Sequence, residues 1–142
     1  MNILLVSHGQ LCIGVNDAFH MFAPTAENVH AVSLTNDGGV EAFRVALDEA
    51  LKSLLEKGDV LIIADLKGGT PYNESYLHFL ENPEHIRLAA GLNLPMLIEA
   101  GILAMSGGEL NQVYETALTA GSAGVIGSDL PEESSDEEDD LF

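Results

Sequence analysis

Basic residues are scarce in this chain: Lys and Arg total 5 against 23 Asp and Glu, a formal net charge of −18. A surface this acidic repels phosphate backbones and anionic lipid, so nucleic acid and membrane surfaces are excluded as partners. Cysteine is nearly absent as well. The single Cys12 rules out an intramolecular disulfide and fits a reducing compartment. Tryptophan is missing and aromatics make up only 6%, so the core must come mainly from Leu, Ile, Val and Ala. No apolar run reaches the length of a membrane span. The first run, Ile3-Leu4-Leu5-Val6, is too short for a signal peptide and lacks a basic leader, so the chain reads as cytoplasmic. No Walker or Rossmann glycine pattern appears. His20, His30, His78 and His85 have no ligand spacing between them, so neither a metal nor a cofactor is expected.

What is present is enough apolar residue, 46% of 142, for one domain with its own core. The charge is unevenly spread. Residues 129–142 hold 8 acids and no base, leaving 15 acids against 5 bases over residues 1–128, a net of −10. The expected organisation is a folded domain over residues 1–128 and an acidic, disordered tail over 129–142, with Glu132–Asp140 of low complexity. An acidic body also suits docking to a basic protein surface, although solubility alone accounts for it.

Four apolar runs, Asn2–Val6, Val29–Leu34, Val60–Ala64 and Ile86–Ala90, are nearly continuous rather than alternating. That pattern marks parallel strands covered on both faces. Helical patterns lie between and after them: Gly14–Phe22, Val40–Leu55, Pro71 to about Leu80, Met96–Met105 and Glu109–Ala120. In the second, Val40, Phe43, Ala46, Leu47, Leu51, Leu54 and Leu55 form the expected apolar stripe. The alternation implies an α/β fold, an open, mostly parallel sheet flanked by helices in flavodoxin-like order. Gly124–Gly127 is a weak candidate for a final strand.

Ligands in such sheets bind beyond the carboxyl ends of the strands. The first strand ends in Ser7-His8-Gly9, and the third runs into Asp65-Leu66-Lys67-Gly68-Gly69-Thr70-Pro71. If those strands are neighbours, about 4.8 Å apart, His8 and Asp65 can hydrogen-bond. A carboxylate on one imidazole nitrogen fixes the tautomer and leaves the other as a nucleophilic lone pair. The Gly68-Gly69-Thr70 turn leads into a helix N-terminus, whose free N–H groups favour an anion. Taken singly, His8 reads as structural, Asp65 as a turn residue and the glycines as an ordinary turn. In combination they describe transient phosphorylation of a histidine. Cys12 reads as a small core residue.

The segments SHG (7–9), DLKGGTPYN (65–73) and AGLNLPMLIEA (90–100), in register, resemble the mannose-type enzyme IIA family of the sugar phosphotransferase system. The resemblance covers roughly residues 1–125. It implies a phosphotransferase component whose His8 is phosphorylated by phospho-HPr, with Asp65 orienting the ring and Gly68, Gly69 and Thr70 cradling the phosphoryl group. The group would pass to a separate IIB protein, and so indirectly to sugar entering through IIC and IID membrane components. It also implies a homodimer in which a C-terminal strand, here Gly124–Gly127, crosses to the partner. Ser7, Lys67 and Asn93 are further candidates to line the site; Lys67 stands where some relatives carry an uncharged residue. Asn93, Pro95 and Glu99 match the family motif chiefly as loop and helix-start residues. Two alternatives are a phosphotransfer subunit serving dihydroxyacetone kinase and a non-catalytic flavodoxin-like regulatory module.

Overall fold

The computed structural model describes residues 1–132. The expected tail, from residue 133 onward, lies outside the described residues. Four strands, β1 (Asn2–His8), β2 (Val29–Leu34), β3 (Val60–Ala64) and β4 (Ile86–Ala90), form one sheet. Its order is β2-β1-β3-β4, and every pairing is parallel. The helices are α1 (Leu11–Phe19), α2 (Gly39–Leu55), α3 (Thr70–Glu81), α4 (Leu94–Met105) and α5 (Leu110–Ala123). The expected α/β architecture and the β1–β3 adjacency are both present.

The continuous apolar runs are explained by two cores. On one face Leu4, Val6, Val60 and Ile62 pack with Phe43, Leu47, Leu51 and Leu54 of α2. On the other, Ile3, Leu5, Leu61 and Ile63 pack with α1, α4 and α5 through Cys12, Phe19, Leu97, Val113 and Ala117. Successive strand residues point to opposite faces, and both faces here are dry. Each fully buried Leu, Ile, Val or Phe contributes about 1.5–3 kcal/mol of transfer free energy.

Three expectations change in detail. In α2 the buried positions are Phe43, Leu47, Leu51 and Leu54, while Val40 is 39% exposed and Ala46 is also exposed. At 3.6 residues per turn Ala46 falls beside the stripe, whereas Val40 lies in line with it but in the first turn of α2, at the helix end where cover is thinner. Helix α1 begins earlier than expected and ends at Phe19. Gly9, at φ +55°, turns the chain sharply out of β1, so the helix starts at once. Gly124–Gly127 forms no strand among the described residues: it follows the end of α5, with Val125 81% and Ile126 83% exposed. A strand needs a neighbouring backbone, and among the described residues none pairs with it there.

Helices α1 and α4 meet where Phe19 lies on Gly101. A β-carbon at position 101 would fall 2.6 Å from Phe19 Cζ, inside a fully packed core. Gly101→Ala is therefore expected to destabilise by about 1–3 kcal/mol through overpacking. Urea unfolding at constant m-value checks this, and an unchanged midpoint would contradict the contact.

Candidate active site

The β1–β3 ladder brings Val6 opposite Ala64, and the Asp65 N–H continues it by donating to Val6 O at 3.1 Å. The next side chains therefore leave the sheet together. His8 Nδ1 lies 2.7 Å from Asp65 Oδ2, and the same oxygen accepts the His8 backbone N–H at 3.0 Å. Oδ1 accepts the Leu66 N–H at 2.9 Å. The Asp65 side chain is only 5% exposed, against 48% for His8.

Burial by itself pushes the Asp65 carboxyl up, but bonds from the His8 N–H, the His8 imidazole and the Leu66 N–H outweigh it. The net shift is below the usual carboxylate value. Asp65 is thus an ionised acceptor, and the proton between the two groups belongs on Nδ1. Nε2 is left with its lone pair, and among the described residues no group hydrogen-bonds to it.

Beside the ring lies the expected turn. Gly68 has φ +89°, a left-handed conformation that suits glycine. Gly69 precedes α3 as its N-cap at φ −80°, where any residue is conformationally allowed. Space is what excludes a side chain there: a β-carbon on Gly69 would sit 2.7 Å from His8 Cε1 and 3.4 Å from Nε2. No side chain caps the first turn of α3, so its N–H groups and dipole face outward next to Nε2. His8, Asp65, Gly68, Gly69 and Thr70 are thus assembled in one place. Lys67 is exposed on the same turn and forms no ion pair among the described residues.

Two candidates fall outside the site. Ser7 is fully buried, and its Oγ accepts the Cys12 N–H at 2.8 Å and donates to Gly9 O at 3.3 Å. Its odd position puts it on the face of Ile3 and Leu5, toward α1, whose first turn it caps. Asn93 caps α4: Oδ1 accepts the Met96 N–H and Nδ2 donates to Gly121 O, both at 3.0 Å. Its amide is committed to the α4–α5 junction. The residue that sequence reasoning missed is Asn73, whose Nδ2 donates to Gly68 O at 3.0 Å. Its signal was available, since it closes the DLKGGTPYN segment.

The other histidines serve local contacts. His78 pairs with Asp48 and His85 with Asp59, both at 2.7 Å, and His30 Nε2 lies 3.1 Å from Asn2 Oδ1. His20 sits between the carbonyls of Asn16 and Ala26, which hold its pKa above the ordinary imidazole value. Among the described residues no three His, Cys, Asp or Glu side chains are grouped to hold a metal ion. A depression of about 670 Å³ lies near Met1, Asp59 and Arg87, at the opposite ends of the strands. His8 stands instead on open surface, accessible to a large partner.

Comparison with known proteins identifies the family. The family model described as "PTS system fructose IIA component" matches residues 2–118. The chain belongs to the mannose-type IIA family. It is 30% identical over 99 residues to the fructose-specific EIIA component of Bacillus subtilis, covering 70% of this chain and 67% of that protein. It is 33% identical over 107 residues to the sorbose-specific EIIA component of Lacticaseibacillus casei, covering 73% and 74% respectively. The mannose/sorbose specific IIA subunit from Enterococcus faecalis superposes with a TM-score of 0.76 at 32% identity, over 94% of this chain and 98% of that one. As a IIA component the protein is a phosphocarrier in sugar uptake. No described helix is long and apolar enough to cross a membrane.

Two outcomes follow for this IIA site. A carboxylate with a lowered folded-state pKa adds stability that is present above its unfolded value and lost as pH falls through the folded value. The difference in unfolding free energy between wild type and Asp65→Ala should accordingly be largest near neutrality and shrink below about pH 4. Denaturant titrations at several pH values check this, and a difference that grows in acid would contradict it. Gly69→Ala keeps an allowed backbone but forces the imidazole to tilt from Asp65. The hydrogen-bonded Nδ1–H proton signal should shift or vanish, with unfolding free energy changed by less than about 1.5 kcal/mol at this surface turn.

Proposed function

We propose that His8 is the phosphoryl-accepting residue of this IIA protein and that Nε2 is the nucleophilic atom. The observation that carries the reading is the 2.7 Å contact of Nδ1 with an ionised, buried Asp65, which leaves Nε2 free beside the first turn of α3. In the transfer, the Nε2 lone pair attacks the phosphorus of the incoming donor. The N–P bond forms as the bond from phosphorus to the donor breaks, and that electron pair leaves with the donor. No proton needs to move, because Nδ1 keeps its hydrogen against Asp65. The carboxylate offsets positive charge on the phosphorylated ring, which keeps the group transferable in both directions. Gly68, Gly69 and Thr70 offer N–H groups, a hydroxyl and the positive end of a helix to the phosphoryl oxygens.

The donor in this reading is phospho-HPr and the acceptor a IIB protein, which links His8 indirectly to IIC and IID components. The open setting of His8 supports protein partners over an enclosed small substrate. The fructose and sorbose names of the relatives support the sugar branch over dihydroxyacetone kinase. They leave a purely regulatory module without support. The lack of a membrane-crossing helix among the described residues is compatible with a cytoplasmic carrier. A homodimer belongs to the same proposal: β4 is an edge strand, and the exposed apolar pair Val125 and Ile126 is material for a strand in another copy.

The reading is tested by supplying labelled phosphoenolpyruvate with enzyme I and HPr. Label should enter the protein only when both are present, and it should be acid-labile and alkali-stable. His8→Ala should reduce incorporation to background. Label retained in that variant would overturn the assignment of His8.

A further inference from the structure

We infer that Asn73 is a positioning residue for the phosphoryl group, acting through the Gly68–Gly69 peptide; this rests on His8 being the acceptor. Asn73 engages both glycine carbonyls: its Nδ2 donates to Gly68 O at 3.0 Å and its backbone N–H to Gly69 O at 2.8 Å. The second bond belongs to the helix and survives any substitution except proline. The first is made by the side chain alone, and it controls the orientation of a peptide plane.

That plane needs control. Gly68 is exposed, has φ +89°, and a β-carbon there would meet nothing within 4 Å, so no packing fixes it. A glycine-flanked peptide in such a turn can reverse its carbonyl and N–H directions at little steric cost. In a trans peptide the two point to opposite sides, and the chain has no cis bonds. With its carbonyl anchored on Asn73, the Gly68–Gly69 peptide turns its N–H away from that anchor. Among the described residues this Gly69 N–H has no hydrogen-bond partner. Gly69 is also the residue in close approach to His8 Cε1 and Nε2. Asn73 thereby holds a free donor, rather than a carbonyl oxygen, available to the anionic group on Nε2. If the peptide reversed, an oxygen dipole would face phosphoryl oxygens and the cradle would change sign.

The test uses the full chain with Asn73→Ala and Asn73→Asp. Asn73 is an exposed helix residue, so both variants should fold, with thermal midpoints close to wild type. The aspartate keeps the shape but cannot donate to Gly68 O, and it adds negative charge near the turn. Phosphoryl transfer from phospho-HPr to His8 should slow by about tenfold in Asn73→Ala and further in Asn73→Asp, as expected for loss of orientation rather than of a reacting group. The 31P resonance of the phosphorylated protein should move, while the unphosphorylated His8 Nδ1–H signal against Asp65 stays in place. Wild-type transfer rates with an unmoved 31P resonance in both variants would overturn the role of Asn73. So would a rate loss accompanied by a lowered thermal midpoint and a shifted Nδ1–H signal, which marks general disruption. Failure of wild type itself to carry label on His8 is a separate result and would overturn the acceptor reading with this one.

Discussion

The parallel ladder between β1 and β3 is the constraint on which the site depends. These strands are separated in sequence by α1, β2 and α2, yet the Val6–Ala64 register makes His8 and Asp65 neighbours at the carboxyl ends of the two central strands. The pairing also sets depth. Asp65 accepts the His8 and Leu66 backbone N–H groups, so its carboxylate is held by main chain on both sides of the ladder. In the proposed transfer, an imidazole oriented by such a rigid acceptor would lose little freedom on reacting, which is what pre-organisation means.

Both faces of the sheet must be covered for this to hold. The α2 stripe and the α1–α4–α5 layer keep the central strands dry. Parallel strands without such cover would expose apolar side chains to water. Two polar residues at the strand ends serve the scaffold. Ser7 closes the β1–α1 turn, and Asn93 ties the start of α4 to the last part of α5. These two residues resemble site residues in sequence because they sit at strand ends, where helix caps and ligand groups compete for the same positions. Hydrogen-bond geometry separates the roles: both ends of the Asn93 amide are oriented by the α4–α5 junction rather than toward His8.

The fold thus divides its labour by side of the sheet. Strand parity sends Ser7 toward α1 while the neighbouring His8 remains exposed at the carboxyl end of β1 beside α3. If His8 carries the phosphoryl group as proposed, this exposure suits a carrier that meets a donor protein and then an acceptor protein. The strong acidity of the chain adds long-range attraction to basic surfaces and discourages contact with anionic lipid.

The sequence by itself determined the fold class, the four strands and the identity of His8, Asp65 and the Gly-Gly-Thr turn as one constellation. Continuous apolar runs have one common use in a chain of this size, and a carboxylate, an imidazole and a helix-opening glycine pair at strand ends have few. Tertiary structure decided what depends on direction and distance. It turned Ser7 and Asn93 into caps, left Val40 and Ala46 exposed, and gave Gly124–Gly127 no strand partner among the described residues. It also revealed the hydrogen bond from Asn73 to Gly68 O, on which the proposed positioning role rests. Residue type tells which bonds are available, but only the packed chain decides where each donor points.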